Sequence, residues 1–169
     1  MTDTDSANSI SVRPVSPADE ELLLNIYKSS RGDDLRGLGW DEDRIGQFLG
    51  MQYEAQHHFH ESEYQRANDE IILLAGEPAG RLIVERREFE IRCLDMALLP
   101  EHRNNGIGAF LIRQLQEEAR RENKPLRLQV IRFGRAVNLF ERAGFVRTSE
   151  TGTHFQMEWT PRQVAEARP

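Results

Sequence analysis

Apolar residues recur along this chain in two rhythms, a period near 3.6 that marks helices and a period of two that marks strands. Ser9 to Val15 alternates, with Ile10, Val12 and Pro14 on one side, and reads as a first strand. Ser16-Pro17-Ala18-Asp19 is a helix start, with a serine to cap, a proline suited to the first turn and acids behind it. Leu22, Leu23, Ile26 and Tyr27 then form a helical apolar face, which should fail around Ser29–Gly32 and give way to a loop as far as Trp40. Asp41 or Asp43 caps a second helix carrying Ile45, Phe48, Leu49, Gln52, Tyr53 and Gln56.

Glu70 to Ala75 and Arg81 to Arg87 read as a hairpin around the connection Gly76-Glu77-Pro78-Ala79-Gly80. Glu90 to Leu99 is the next strand, with Ile91, Cys93, Asp95, Ala97 and Leu99 on one face and Arg92, Leu94, Met96 and Leu98 on the other. Ile107, Phe110, Leu111, Leu115 and Ala119 mark a helix from Gly106 to Glu122, stopped by Lys124-Pro125. Leu126, Leu128 and Val130 share one face of a strand, and Ala136 to Arg142 is a short helix closed by Gly144. Phe145–Thr148 and Phe155–Trp159 are two last strands around Thr151-Gly152. The order β-α-α-β-β-β-α-β-α-β-β is a mixed α/β pattern. Residues 1–9 and 161–169 read as tails on one domain spanning 10–160.

A chain of 169 residues, 38% hydrophobic and 30% charged, suits a globular domain that needs no disulfide or metal to hold its core. No apolar run approaches bilayer length and the start, MTDTDSANS, lacks the basic and apolar regions of a secretory signal. A cytoplasmic location with no membrane partner is expected. A net charge of -6 without a basic stripe argues against nucleic acid. The single cysteine, Cys93, sits in an apolar strand as a core residue, not a nucleophile. His57, His60 and Glu61 fall within one helical turn, but no second ligand pattern completes a site, so no metal is expected.

The chemistry is concentrated in Leu98-Leu99-Pro100-Glu101-His102-Arg103-Asn104-Asn105-Gly106-Ile107-Gly108-Ala109-Phe110-Leu111. Here a strand exit passes a proline and a glycine-bearing turn into a helix, leaving backbone N–H donors and the positive end of the helix dipole facing outward. That is a site for phosphate. The spacing is neither G-x-x-x-x-G-K-[ST] nor G-x-G-x-x-G, which excludes an ATP-type P-loop and a dinucleotide fingerprint. Arg103-x-x-Gly106-x-Gly108 resembles the acyl-CoA loop R-x-x-G-x-G/A of the GNAT N-acetyltransferase superfamily. A second segment, Arg135-Ala136-Val137-Asn138-Leu139-Phe140-Glu141-Arg142-Ala143-Gly144-Phe145, resembles that family's R-A-x-x-L-Y-E-[KR]-x-G-F. The two are independent and stand in the family's order, and the likeness covers about residues 10–160.

The resemblance implies the GNAT fold, a splayed mixed sheet of about seven strands with about four helices. It implies acetyl-CoA as co-substrate and direct transfer to an amine of a small molecule or peptide, with homodimers common among its members. The main chain of Leu98 and Leu99 would bond the pantetheine arm, a strand-addition mode, and an N–H near Leu98 would polarise the thioester carbonyl. The N–H groups of Arg103, Asn104, Asn105, Gly106, Ile107 and Gly108 would hold the diphosphate, with Ala109 and Phe140 completing the cofactor contacts.

Two departures from the family pattern bear on chemistry. Phe140 stands where a tyrosine often protonates the leaving thiolate, and Phe133-Gly134 replaces a frequent asparagine. Tyr53 or a water is a substitute for the missing phenol. Asp95, a lone carboxylate in an apolar strand, is the candidate base, with His154 a further one. Arg92 is a candidate to orient an acidic substrate group. The acceptor pocket would draw on Trp40, Met51, Gln52, Tyr53, Gln56 and His154. A CoA-binding module without turnover remains the alternative function.

Overall fold

The computed structural model describes residues 9–36, 38–63, 65–132, 134 and 136–161, with the side chains of 33, 34 and 58–63 left undescribed. The expected tails lie almost wholly outside the described residues. Strand β1 (Ile10–Pro14) leads through a short 3-10 turn (Pro17–Asp19) into α1 (Glu20–Arg36) and α2 (Glu42–Glu63). Strands β2 (Asn68–Leu74), β3 (Glu77–Arg86) and β4 (Ile91–Leu98) follow, then a second 3-10 turn (Pro100–His102) and α3 (Ile107–Glu122). The chain ends with β5 (Leu126–Ile131), α4 (Ala136–Arg142), β6 (Val146–Glu150) and β7 (His154–Trp159). All seven strands belong to one mixed sheet in the order β1-β2-β3-β4-β5-β7-β6. No helix among the described residues is long and apolar enough to cross a membrane.

The chain divides into two compact units, and β3 and β4 run from one into the other. The first unit comprises residues up to Ile83 together with Asp95–Asn105. In it β1 pairs antiparallel with β2, from Ile10 opposite Leu74 to Pro14 opposite Glu70. Leu23 of α1, Tyr53 of α2 and Ile71 of β2 form a buried cluster, with Leu22, Tyr27 and Leu73 packed against it. Arg13 clasps Asp19 through two bonds of 2.8 Å, and Asp19 also accepts the Ser16 N–H at 2.8 Å. That pair of contacts holds the start of α1 against β1. Asp41 caps α2 by accepting the Arg44 N–H at 2.8 Å.

The second unit comprises Val84–Leu94 and the chain from Gly106 onward. Here α3 makes the crossover that a parallel pair needs, carrying the chain from β4 to β5. The β4–β5 register is Ile91 with Leu126, Arg92 with Arg127 and Cys93 with Leu128. Strand β5 then pairs antiparallel with β7 along its whole length. Ile107, Leu111, Ile112, Leu115 and Ala119 form the buried stripe of α3, and Gln116 donates to the Ala143 carbonyl at 2.8 Å. Asn123, at φ 54°, ends the helix one residue before Lys124.

Two sequence expectations need correction. Helix α1 does not fail at Ser29–Gly32 but continues to Arg36. One internal glycine costs only about 1 kcal/mol, too little to end the helix. Inside it the Ser30 hydroxyl bonds back to the Tyr27 carbonyl at 3.0 Å, while Arg36 pairs with Glu42 at 2.7 Å. The hairpin connection is not Gly76–Gly80 but the pair Ala75-Gly76, both left-handed at φ 52° and 82°, as a two-residue hairpin turn demands. Pro78 and Gly80 therefore lie inside β3. Strand β1 forms where the alternation placed it, with Val12 38% exposed.

Candidate active site

The turn that follows β4 is built from its own main chain. The Leu99 N–H donates to the Ala79 carbonyl at 2.8 Å, which fixes the strand exit on β3. The His102 and Arg103 N–H groups close the 3-10 turn onto the carbonyls of Leu99 and Pro100. Asn104 and Gly106 are left-handed, at φ 63° and 80°, and Gly106 is the N-cap of α3. Helical bonding begins with the Phe110 N–H on the Gly106 carbonyl, so Ile107, Gly108 and Ala109 have no acceptor for their N–H groups within the helix. No acidic side chain occupies the first turn of α3. A Cβ placed on Gly106 would meet nothing within 4 Å. Open space, outward donors and the positive end of a 16-residue helix make a cradle that a diphosphate fits.

Arg103 has a different part. Its Nε donates to the Leu98 carbonyl at 3.1 Å and its Nη2 to the Ser29 carbonyl at 3.2 Å. With its N–H also bonded, Arg103 ties the end of β4 to α1 and fixes the entry to the turn. The donors that remain for an anion start at Asn104.

Asp95 lies three residues before Leu98 on the same strand and lines a small recess within the first unit. Helix α1 supplies one face of it through Leu23, Ile26, Tyr27, Ser30 and Arg31, while β3 adds Arg81 and β4 adds Ala97. Its volume is about 20 Å³, room for a water or a small functional group. Arg81 is 9% exposed and bonds both oxygens of Asp69, at 2.9 and 2.6 Å. Burial works against the Arg81 charge, and the Asp69 carboxylate, helped by Asp95, more than restores it, leaving the guanidinium pKa raised. Burial also pushes the Tyr27 phenol up; Arg31 opposes that and Asp95 adds to it. Arg31 stacks over the Tyr27 ring, 5.0 Å from its centroid.

The other expected residues scatter. Tyr53 is buried in the first unit's core, 5.6 Å from the Tyr27 ring and 5.9 Å from the His57 ring, and burial raises its phenol pKa. Gln52 accepts from the Tyr27 hydroxyl at 3.4 Å, but Met51 points outward at 74% exposure. Trp40 packs edge-on against Phe48 beneath the Arg44 guanidinium. Gln56 is half-buried on α2. In the second unit, Phe140 is buried against Phe145, His154 is half-buried with its ring beside the Thr153 hydroxyl, and Arg92 is engaged with Glu90 at 3.0 Å. The His60 and Glu61 side chains, and Phe133 and Arg135, lie outside the described residues. Among the described residues no group of three His, Cys, Asp or Glu could hold a metal. Sequence reasoning missed Arg31 and the Arg81–Asp69 pair. Arg31 carried one signal, its position four residues after Tyr27 on an apolar helix face.

Comparison with known proteins bears on the fold and the family. The acetyltransferase (GNAT) domain family matches residues 63–147. No curated protein matches the chain. Among solved structures, the PaiA N-acetyltransferase of Thermoplasma acidophilum in complex with coenzyme A superposes with a TM-score of 0.69 at 19% identity, over 90% of this chain and 99% of that one. A Corynebacterium glutamicum protein described as histone acetyltransferase HPA2 and related acetyltransferase gives 0.64 at 21%, over 95% and 98%. The ribosomal-protein-S18-alanine N-acetyltransferase of Escherichia coli gives 0.61 at 16%, over 89% and 93%. At these identities the likeness is one of fold, while the domain match covers half of the chain. The chain belongs to the GNAT family of acetyl-CoA-dependent acetyltransferases.

Proposed function

We propose that this protein transfers the acetyl group of acetyl-CoA to a primary amine by direct transfer in a ternary complex, with Asp95 as the base. The observation that carries this is the continuity of one strand exit: Asp95 lines a recess, and the same strand runs through Leu98 into an open anion cradle at Gly106. Acetyl-CoA supplies an activated acetyl group as a thioester. The main-chain donors from Asn104 to Ala109 hold its diphosphate, and the main chain at Leu98 is the candidate donor to the thioester carbonyl.

An amine is protonated near neutral pH and must lose that proton before it attacks. The Asp95 carboxylate in the recess holds the ammonium form and accepts the proton, directly or through a water. Cys93 is 6% exposed, which supports direct transfer over an acetylated enzyme. Phe140 has no proton to give; a thiol of pKa about 8.5 leaves as thiolate without help.

The test is thermal unfolding with and without millimolar acetyl-CoA, on wild type and on Gly106→Glu. Ligand at ~100 times its Kd adds ~2.7 kcal/mol of stability. A rise in Tm for the wild type, absent in a folded Gly106→Glu, supports the cradle, and release of CoA with an amine panel supports the transfer. No rise in the wild type would sink the reading. A rise without CoA release on any amine would favour a non-catalytic acyl-CoA-binding module, the reading that the buried Phe140 keeps in play.

A further inference from the structure

Arg103 sits at the entry to the turn, but its side chain is engaged elsewhere. Arg13, Arg36 and Arg81 of the first unit each hold a carboxylate, on Asp19, Glu42 and Asp69. Arg103 is next in sequence to an anion cradle, yet among the described residues its guanidinium donates to two main-chain carbonyls. Nε bonds Leu98 at 3.1 Å and Nη2 bonds Ser29, 74 residues away in sequence, at 3.2 Å. Arg81 uses that same edge, Nε and Nη2, to take both oxygens of Asp69. A diphosphate could have this edge of Arg103 only if both carbonyls let go. The place of the tie matters too. Ser29 opens the stretch of α1 that contains Gly32, and its neighbours Tyr27, Ser30 and Arg31 line the recess.

We propose that Arg103 is a positioning residue: its guanidinium binds no phosphate and instead transmits occupation of the turn to α1, by holding Ser29 against the exit of β4. This rests on the transferase reading above and assigns one residue of it. Diphosphate on the N–H groups from Asn104 onward fixes the main chain that carries Arg103. The guanidinium then loses less freedom in keeping its two bonds, so α1 is held more firmly at Ser29 when acetyl-CoA is in place. The side of the recess that Tyr27, Ser30 and Arg31 supply is steadied with it. Coupling of this kind is reciprocal, so the tie strengthens acetyl-CoA binding by the factor with which acetyl-CoA steadies α1.

Amide hydrogen exchange, read by mass over residues 27–36 and 104–110 with and without saturating acetyl-CoA, tests this on wild type, Arg103→Gln and Arg103→Lys. In the wild type acetyl-CoA should slow both segments, the helix segment by roughly 5- to 50-fold, an ordinary strength of coupling between two sites. Arg103→Gln should keep the slowing at 104–110 and lose it at 27–36, with acetyl-CoA affinity lowered by the same factor. Arg103→Lys keeps the charge without the forked edge and should recover only part; it carries the test if Arg103→Gln does not fold. A residue that only props the fold would speed exchange in α1 with or without ligand and leave the ligand-induced slowing in place, which would overturn the inference. Weaker acetyl-CoA binding in Arg103→Gln with the α1 slowing intact would overturn it as well, since that is how a direct phosphate contact behaves. Slowing confined to 104–110 in the wild type would also overturn it and leave the cofactor site standing. No slowing in either segment, with no rise in Tm, would remove the transferase reading along with it.

Discussion

Gly80 on β3 and Gly106 at the head of α3 are the same residue used for opposite reasons. A Cβ on Gly80 would lie 2.1 Å from the Ala97 carbonyl oxygen and 3.0 Å from Leu98, an overlap with backbone that no rotamer can relieve. A Cβ on Gly106 would touch nothing, yet its φ of 80° is a conformation that side chains resist. The first position is dictated by the close approach of neighbouring strands. The second is dictated by how the chain turns and by what is to come near it. Packing fixes one region of the molecule; the other is kept open.

Substitution can break that contrast, and the largest effect is expected at Gly80. Gly80→Ala forces β3 and β4 apart and should cost more than ~3 kcal/mol, read as loss of the cooperative urea transition or a steep fall in its midpoint. Next comes Gly106→Glu, which should keep the fold but lose the ~2.7 kcal/mol of ligand stabilisation, measured by Tm with acetyl-CoA. Gly106→Ala should cost only ~1–2 kcal/mol of backbone strain, with Gly106→Asn closer to wild type because asparagine visits the left-handed region. A variant at Gly106 as damaging as Gly80→Ala would erase the distinction.

Asp19→Asn probes the first unit through charge. Arg13, ahead of the Ser16 N–H, holds the Asp19 carboxyl well below the usual carboxylate range. A lowered folded-state pKa stabilises above the unfolded value of about 3.9 and is lost as pH falls below it. The Tm deficit of Asp19→Asn should thus be present at pH 7 and shrink in a titration below pH ~4. The smallest expected change is a gain. Gly50, inside α2, has open space within 4 Å of where a Cβ would stand and no positive φ, so Gly50→Ala should add ~0.5–1 kcal/mol in denaturant melts.

The turn from Pro100 to Gly108 was legible because its residues act locally: proline, two glycines and an apolar helix stripe determine it within a dozen positions. The β5 alternation and the Gly144 stop of α4 were legible for the same reason. Gly80 was misread as a turn because its neighbour, Ala97, is remote in sequence, and a close strand approach leaves no local trace. The run of α1 past Ser29 was hidden by Ser30, which satisfies a helix carbonyl where its type suggests a break. At the site, Asp95 stood out as the one carboxylate of strand β4. Arg31 drew no notice in the sequence, because its place over the Tyr27 ring shows only in the structure.

The burial of Cys93 has a practical consequence for all of these measurements. CoA released by transfer exposes a thiol, and the chain's one thiol is 6% exposed in the folded state. A thiol-reactive chromophore will therefore count turnovers against a quiet background. The same reagent, used without acetyl-CoA, turns Cys93 into a clock for the opening of β4, since labelling must wait until that strand leaves the sheet.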